Sequence, residues 1–166
     1  MLPVKPHRQK AGLCGVASLK MVLDYFGLQR SEAELEKLTG ANAKDGISPE
    51  GIKRAAVSLG FSFELKDDAI FDDIKYYLDK KIPPMVDWFS MYNDYSEGHF
   101  SVVVKLDKNY IYMQDPEIAG IRKMKRSDFL RVWFDFEGDF MKTKNDLVLR
   151  RLIVIRKNSN GKKSIY

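Results

Sequence analysis

The only cysteine of the chain, Cys14, directly precedes an apolar segment with the spacing of a helix. Unpaired N–H groups and the dipole at a helix N-terminus favour a thiolate over a thiol, and a thiolate is the nucleophile of cysteine hydrolases. A single cysteine cannot form an intramolecular disulfide. The alternative role is that of a buried structural thiol, because free cysteine often packs as a small apolar side chain.

Histidine is scarce, and the chain offers two candidates for a base that takes the cysteine proton. His7 lies in a predicted irregular arm, whereas His99 opens a predicted strand at the edge of a polar loop. A strand-end histidine beside a glycine is well placed to project into a cleft. A packed or surface histidine is the alternative for His99.

Asp115 is the candidate for the group that orients His99. It follows the next predicted strand, and a hairpin turn at residues 107–109 separates the two strands. In a simple hairpin, residues whose numbers add to about 216 face each other, which places Asp115 opposite residue 101 and close to His99. The alternative is that Asp115-Pro116 only starts a turn.

Gln9 lies shortly before Cys14 and could donate a side-chain N–H to a developing oxyanion, together with the Cys14 backbone N–H. The alternative is a solvated glutamine in a loop. Two histidines and one cysteine supply few ligands for a zinc site, so we expect no metal and no other cofactor.

The elements that must position these residues begin with three predicted helices, at 13–26, 31–38 and 48–59, the last two with serine N-caps. A strand at 61–65 and a helix capped by Asp68 follow, and Pro83-Pro84 ends that helix. Helices first and an antiparallel sheet second is an α+β pattern. The further predicted elements are strands at 85–89, 99–106, 110–114, 120–125 and 147–155 and a short helix capped by Ser127.

Composition bounds the class of protein. The chain has 166 residues, of which 45% are hydrophobic and 12% aromatic, enough for the core of one domain over residues 1–157 with a loose tail at 158–166. The apolar runs are too short to span a bilayer, and no secretory signal is visible. With a free thiol, these features favour the cytoplasm.

The net charge of +5 raises the question of a nucleic-acid or membrane partner. Basic and acidic residues are interleaved along most of the chain, and no DNA- or RNA-binding motif is found. The basic cluster at 122–126 fits an amphipathic strand with its charges outward, and the second cluster lies in the C-terminal tail. We expect neither a nucleic-acid nor a membrane partner.

The run from Gln9 to Gly27 resembles the opening of the C39-like cysteine peptidases, papain-type enzymes whose best-known members are bacteriocin-leader peptidases fused to ABC transporters. The resemblance implies a papain-like fold with Cys14 as nucleophile, His99 as general base and acid, and a peptide substrate. It also makes Asp115 the orienting residue and Gln9 the oxyanion donor. The resemblance continues, in the same order, in residues 45–48, 82–88, 98–104, 113–116 and 127–133.

The chain also departs from the family pattern. Leu13 stands where an acidic or small polar residue is common, the spacing from Gln9 to Cys14 is shorter by one, and residues 134–147 form a longer and more acidic link. No ATPase motif or membrane domain follows, so a direct role in exporting a double-glycine-leader peptide is not implied.

The leading hypothesis is a cytoplasmic cysteine hydrolase that acts on a peptide through a thioester. The alternatives are an inactive peptide-binding module and an acyl or peptidyl transferase on the same fold. The polar and aromatic loop at 89–98 is expected to border the cleft and contact substrate, through Tyr92, Asp94, Tyr95 and Glu97.

Overall fold

Three helices precede the sheet in the computed structural model, which describes residues 1–91, 97–136, 138 and 140–158. They are α1 (Cys14–Tyr25), α2 (Glu32–Thr39) and α3 (Pro49–Ser58). The serine caps are confirmed: Ser31 Oγ accepts from the N–H of Glu34 at 3.2 Å, and Ser48 Oγ accepts from the N–H of Gly51 at 3.1 Å. Side-chain acceptors at these two starts satisfy backbone donors that a helix leaves unpaired.

Six antiparallel strands form the main sheet, in the order β1-β8-β2-β3-β4-β5. Two short strands, β6 (Phe134–Phe136) and β7 (Leu147–Leu149), pair separately as a ribbon. This arrangement confirms the predicted α+β class. The strands of the main sheet are β1 (Phe61–Lys66), β2 (Met85–Ser90), β3 (Glu97–Leu106), β4 (Tyr110–Asp115), β5 (Gly120–Lys125) and β8 (Leu152–Lys157).

The sheet carries a hydrophobic core on each face. Helices α1 to α3 cover one face, where Val102 and Val104 of β3 pack with residues such as Leu19. The other face lies under α4 (Phe71–Asp79) and α5 (Arg126–Val132), where Val103 packs with Trp88 and Phe129. Successive side chains of β3 therefore enter opposite cores, as the two-residue period of a strand requires. Within the described residues, no helix is long and apolar enough to cross a bilayer.

The hairpin of β3 and β4 has the predicted register at its far end. Val102 faces Gln114 and Val103 faces Met113, as the simple hairpin predicts. The register then shifts by one between Val103 and Lys105, so that the pairs near the turn no longer follow the same sum.

Asp68 does not cap α4, which corrects the sequence prediction. Its φ is +56°, and its N–H donates to the Leu149 carbonyl at 2.9 Å. The helix starts at Phe71, and the carboxylate of Asp73 accepts from the Ile70 N–H at 2.8 Å. Asp73, inside the first turn of α4, therefore accepts the hydrogen bond at the helix start, and Asp68 does not.

The predicted strand at 147–155 is two strands, and Ser127 is not a cap. Arg150 has a φ of +48°, and its N–H donates to the Trp133 carbonyl at 3.0 Å, so the chain leaves the ribbon there and enters β8. Helix α5 begins at Arg126, whose N–H donates to the Asn109 carbonyl at 2.8 Å. Long-range backbone bonds decide both boundaries.

Gly12 holds the turn before α1 in a conformation that other residues adopt with strain. Its φ is +71°, and a Cβ added there would lie 2.1 Å from the Ala43 carbonyl oxygen. We predict that Gly12→Ala destabilises the protein by more than the roughly 1–2 kcal/mol of a left-handed residue alone, because backbone must also move. Urea unfolding measures the difference.

Gly60 supplies the matched control. Its φ is +84° and nothing lies within 4 Å of an added Cβ, so Gly60→Ala should show only the backbone strain. Equal losses for the two variants would contradict the close approach of Gly12 to Ala43.

Candidate active site

Cys14 is the first residue of α1 and is partly exposed. The preceding Leu13 is buried and offers no capping oxygen, so no side chain caps this end of the helix. The thiol therefore lies where backbone N–H groups and the helix dipole attract negative charge. Leu13, which departs from the family pattern, packs in the hydrophobic core directly before Cys14 in the sequence.

His99 lies on β3, is 1% exposed, and uses one ring nitrogen for Asp115. Its Nε2 donates to Asp115 Oδ1 at 3.0 Å, and the ring lies edge-on to Trp88 with centroids 5.4 Å apart. The remaining nitrogen, Nδ1, is buried without a hydrogen bond of regular geometry among the described residues. The sequence prediction that His99 and Asp115 meet across the hairpin is confirmed.

The pKa of His99 records its contact with both Cys14 and Asp115. Burial is the largest single influence and lowers this pKa. Hydrogen bonding to Asp115 and Cys14 and the charges of both groups outweigh burial and raise the pKa to about 10. The raised pKa favours the imidazolium form of the ring at neutral pH.

Helix α1 and β3 approach closely, which brings Cys14 to His99. Ser18 Oγ in α1 donates to the Phe100 carbonyl in β3 at 3.0 Å. A Cβ added to Gly15 would lie 2.1 Å from Ile47 Cγ2 and 3.1 Å from Phe100 Cδ2. The glycine after Cys14 thus leaves the space for the histidine strand.

Asp115 is fully buried and accepts three hydrogen bonds. Besides His99, the Glu117 N–H donates to Oδ1 at 2.8 Å and Arg122 Nε donates to Oδ2 at 2.5 Å. Burial, the largest influence, raises the pKa of Asp115, but the bonds and charges of His99 and Arg122 lower it overall. The carboxylate is therefore ionised at neutral pH.

Arg122 is a site residue that the sequence prediction missed. The expectation for residues 122–126 was a strand with its charges outward, but the Arg122 side chain is only 12% exposed and also bonds Glu117 at 2.7 Å. Arg122 faces Met113 on β4 and so lies diagonally across from Asp115. Extending the hairpin arithmetic by one strand would have found this contact.

Arg122 also forms ion pairs with both carboxylates beside His99, Asp115 and Glu117. Ligand atoms of His99, Asp115 and Glu117 lie within 4.8 Å of one another. The two carboxylates already hold the guanidinium at 2.5 Å and 2.7 Å, so the positive charge that a cation would bring is supplied by the chain.

Gln9 is anchored beside Asp115 rather than solvated in a loop. Its N–H donates to the Pro116 carbonyl at 2.9 Å, and the neighbouring Arg8 donates to the Glu117 carbonyl at 2.8 Å. Its side-chain Oε1 is buried without a donor among the described residues. The other histidine, His7, instead contacts Glu32 at 3.1 Å.

A cleft of about 500 Å³ opens at Cys14. One wall is the turn at 43–46, which the Asn42 and Gly46 backbones close with bonds of 2.9 and 3.1 Å. The other wall contains Gly98 and residues of the β6–β7 ribbon, which the sequence analysis did not assign to the cleft. Of the loop at 89–98, residues 92–96 with Tyr92, Asp94 and Tyr95 lie outside the described residues, and so does the side chain of Glu97.

Two carboxyl groups meet under this second wall. Asp87 of β2 is 4% exposed and is hydrogen bonded to Asp135 of β6. Burial first, and then the charge of Asp135, raise the pKa of Asp87 well above its ordinary value. The raised pKa favours a proton on Asp87, which it can donate in the bond with Asp135.

The raised pKa of Asp87 predicts a pH dependence of folding. The folded state holds a proton that the unfolded state releases above the ordinary pKa of 3.8, so this group costs stability as pH rises from about 4 towards its folded pKa. Asp87→Asn keeps a donor for Asp135 and removes the proton. Its stability relative to the parent should therefore rise with pH, by at most about 1.4 kcal/mol per pH unit.

Urea denaturation of both proteins between pH 4 and pH 8 measures this difference. Asp72→Asn, which alters an exposed acid on α4, is the control and should show no such trend. A stability difference that stays constant with pH would contradict the shared proton.

The part of the chain that matches a known family includes all four predicted site residues. A model of the peptidase C39 family matches residues 6–136. A lactococcin transport/processing ATP-binding protein (LcnC-like) of Lactococcus lactis is 32% identical over 123 residues, which are 72% of this chain and 16% of that protein. An uncharacterized protein of Methanothermobacter marburgensis is 32% identical over 127 residues, with 76% and 80% covered. The chain thus spans about a sixth of the lactococcin transport protein's length.

Solved structures share the fold. The peptidase domain of Streptococcus ComA, a bifunctional ABC transporter, superposes with a TM-score of 0.72 at 24% identity, over 93% of this chain and 99% of that one. A double-glycine-motif protease in complex with its leader peptide gives 0.67 at 20% identity, over 93% and 91%. These matches, together with the family model, confirm the resemblance seen in the sequence. The chain belongs to the peptidase C39 family and is a cysteine-type peptidase.

Proposed function

We propose that Cys14 attacks a peptide carbonyl, with His99 as general base and acid and Asp115 as the residue that orients His99. The observation that carries the proposal is the buried bond from His99 Nε2 to Asp115 Oδ1 at 3.0 Å. It commits one ring nitrogen and leaves Nδ1 for the thiol at the start of α1. That division of the two nitrogens is what a cysteine–histidine pair needs.

The reaction has two halves. Cys14 gives its proton to His99 and its sulfur forms a bond to the carbonyl carbon, while the carbonyl oxygen takes the electron pair of the C=O bond as an oxyanion. As the intermediate collapses, the amine leaves with the proton from His99, and a thioester remains. A water then gives its proton to His99 and attacks the thioester, which releases the acid and restores Cys14.

The charges around His99 support this sequence of proton transfers. Asp115 stabilises the imidazolium that the mechanism requires, and Arg122 in turn stabilises the Asp115 carboxylate at 2.5 Å. Because the aspartate is fully buried, its charge acts in a medium of low polarity and attracts the ring strongly. The ring is held in one orientation with Nδ1 available.

Gln9 is proposed as the oxyanion donor, together with the Cys14 N–H. Support comes from the anchoring of its backbone on Pro116, the residue after Asp115, and from its side-chain Oε1, which is buried without a donor among the described residues. An oxyanion stabilised by two N–H groups lowers the barrier to both tetrahedral intermediates.

The proposed substrate is a peptide or protein. Several relatives are transport and processing proteins, and a protease with the same fold was solved with a leader peptide bound. The proposed compartment is the cytoplasm, where a nucleophilic thiol stays reduced.

Alkylation of Cys14 by iodoacetamide at pH 6 tests the nucleophile. Cys14 is the sole cysteine, so mass spectrometry reports its reaction without ambiguity. We predict a rate far above that of glutathione, no labelling in Cys14→Ala, and a fall of at least about a hundredfold in His99→Ala. His7→Ala, which removes the histidine paired with Glu32, is the control and should react as the parent does. An unchanged rate in His99→Ala would sink the proposal.

Asp115→Asn should lower the pKa of His99 from about 10, since the charge that opposes burial is lost. The folded pKa lies above 6.5, so the pair stabilises the fold fully below that pH and loses this effect as pH rises through about 10. Asp115→Asn should therefore be less stable than the parent near pH 6, with the gap narrowing as pH rises through about 10 to the part that comes from the lost ion pair with Arg122. NMR titration of the two histidines measures the pKa, and His7 serves as an internal reference. A His99 titration left in place would exclude the orienting role.

A further inference from the structure

The carboxylate of Asp135 lies directly over the strand that carries His99. A Cβ added to Gly98 would be 2.1 Å from Asp135 Oδ2 and 2.8 Å from Oδ1. Gly98 precedes His99 in β3, and both Gly98 and Asp135 line the cleft that contains Cys14. A negative charge is therefore fixed in the cleft wall, next to the proposed base.

Several contacts hold this carboxylate in place. The Phe136 N–H donates to Asp135 Oδ1 at 2.8 Å. The buried carboxyl group of Asp87, in β2 of the main sheet, is hydrogen bonded to the Asp135 side chain. The ring of Phe89 in β2 stacks on Phe134 with centroids 5.3 Å apart and an angle of 10°, and it also contacts Phe136 at 5.7 Å. The wall is a packed part of the fold, so the position of the charge is defined.

The described residues that line the cleft carry a net negative formal charge. Their charged side chains are Lys44, Asp45 and Asp135, which together carry a formal charge of −1. Lys44 and Asp45 are neighbours in the exposed turn at 43–46 and offset each other at longer range. Asp135 carries the remaining negative charge of this set.

We propose that the cleft selects substrates with a lysine or arginine side chain beside the scissile bond, and that Asp135 is the residue that binds this charge. The inference rests on the proposed function. A carboxylate forms strong charge-assisted hydrogen bonds with ammonium and guanidinium groups. Phe136, which lines the same wall, would cover the methylene stem of such a side chain. An acidic side chain at the same place would be repelled.

Charged thiol reagents measure the field at Cys14 without a known substrate. The thiolate attacks the sulfenyl sulfur of an alkyl methanethiosulfonate, a mixed disulfide forms, and methanesulfinate leaves with the electron pair. We compare the rates of cationic trimethylammonioethyl, anionic sulfonatoethyl and neutral methyl reagents. For each protein, the rate with the cationic reagent is divided by the rate with the anionic reagent, and this ratio is divided by the same ratio measured with glutathione. The result should be well above one in the parent protein.

Asp135→Asn should lower this ratio by about tenfold, the effect of one unit charge on two reagents of opposite sign in a half-solvated cleft. The rate with the neutral reagent reports any general change in the reactivity of Cys14, so the ratio of the two charged reagents isolates the effect of the charge. Asp72→Asn alters the net charge equally at an exposed position of α4 and should leave the ratio unchanged. Asp45→Asn should change the ratio less than Asp135→Asn. A ratio that follows Asp45 alone, or does not respond to Asp135, overturns the proposal.

Peptide-like reagents then identify the kind of cation. Chloromethyl ketones of N-acetyl-lysine, N-acetyl-norleucine and norleucine with a free α-amine share one electrophile, and the Cys14 thiolate displaces chloride from each. We expect the N-acetyl-lysine reagent to react fastest, with a preference that Asp135→Asn removes. A preference for the free α-amine without a lysine side chain would overturn the assignment to a basic side chain.

These measurements separate the two levels of inference. A slow reaction with the neutral reagent, as slow as that of glutathione, would contradict the nucleophilic role of Cys14. A fast neutral reaction without a charge preference would contradict only the role of Asp135.

Discussion

The hydrogen bond between His99 and Asp115 joins two neighbouring strands at a point where neither side chain reaches water. Burying an ionised carboxylate and an imidazolium costs several kcal/mol unless both are paired. Here Asp115 accepts hydrogen bonds from His99, from Arg122 and from the backbone of Glu117. The neighbouring elements support this buried pair. Strand β5 brings Arg122 to Asp115, and the N-terminal arm is hydrogen bonded to the residues just after Asp115 through Arg8 and Gln9.

The nucleophile arrives from a different part of the chain, and close backbone approach makes the meeting possible. Gly12 lies two residues before Cys14 and Gly15 directly after it, and at each position a methyl group would collide with a neighbouring part of the chain. Close packing on both sides therefore positions the segment that carries the thiol. Next to it, Ser18 of α1 donates to the Phe100 carbonyl of β3, and apolar residues of α1 such as Leu19 pack with the same strand.

Local and regular features of the site could be predicted from the sequence. The capping serines, the helix that begins at Cys14 and the hairpin that brings Asp115 to His99 follow from short-range rules about caps, periodicity and turns. The residues that were missed depend on contacts between distant segments. Asp87 and Asp135 meet because the ribbon packs against the sheet. The end of β7 at Arg150 depends on a hydrogen bond to the Trp133 carbonyl. No local pattern in residues 147–155 marks that break, because both halves are apolar and β-prone.

The ribbon of β6 and β7 stands apart from the six-stranded sheet that carries His99 and Asp115. The ribbon begins after Trp133 and ends at Arg150, and the Arg150 N–H donates to the Trp133 carbonyl at 3.0 Å, so the two ends of the segment lie together. Because its ends are fixed to each other, a change in the length of the ribbon need not displace the strands of the sheet. The proposed chemistry and the proposed selectivity of the cleft therefore lie in different parts of the fold, the first in the sheet and the second in the ribbon packed against it.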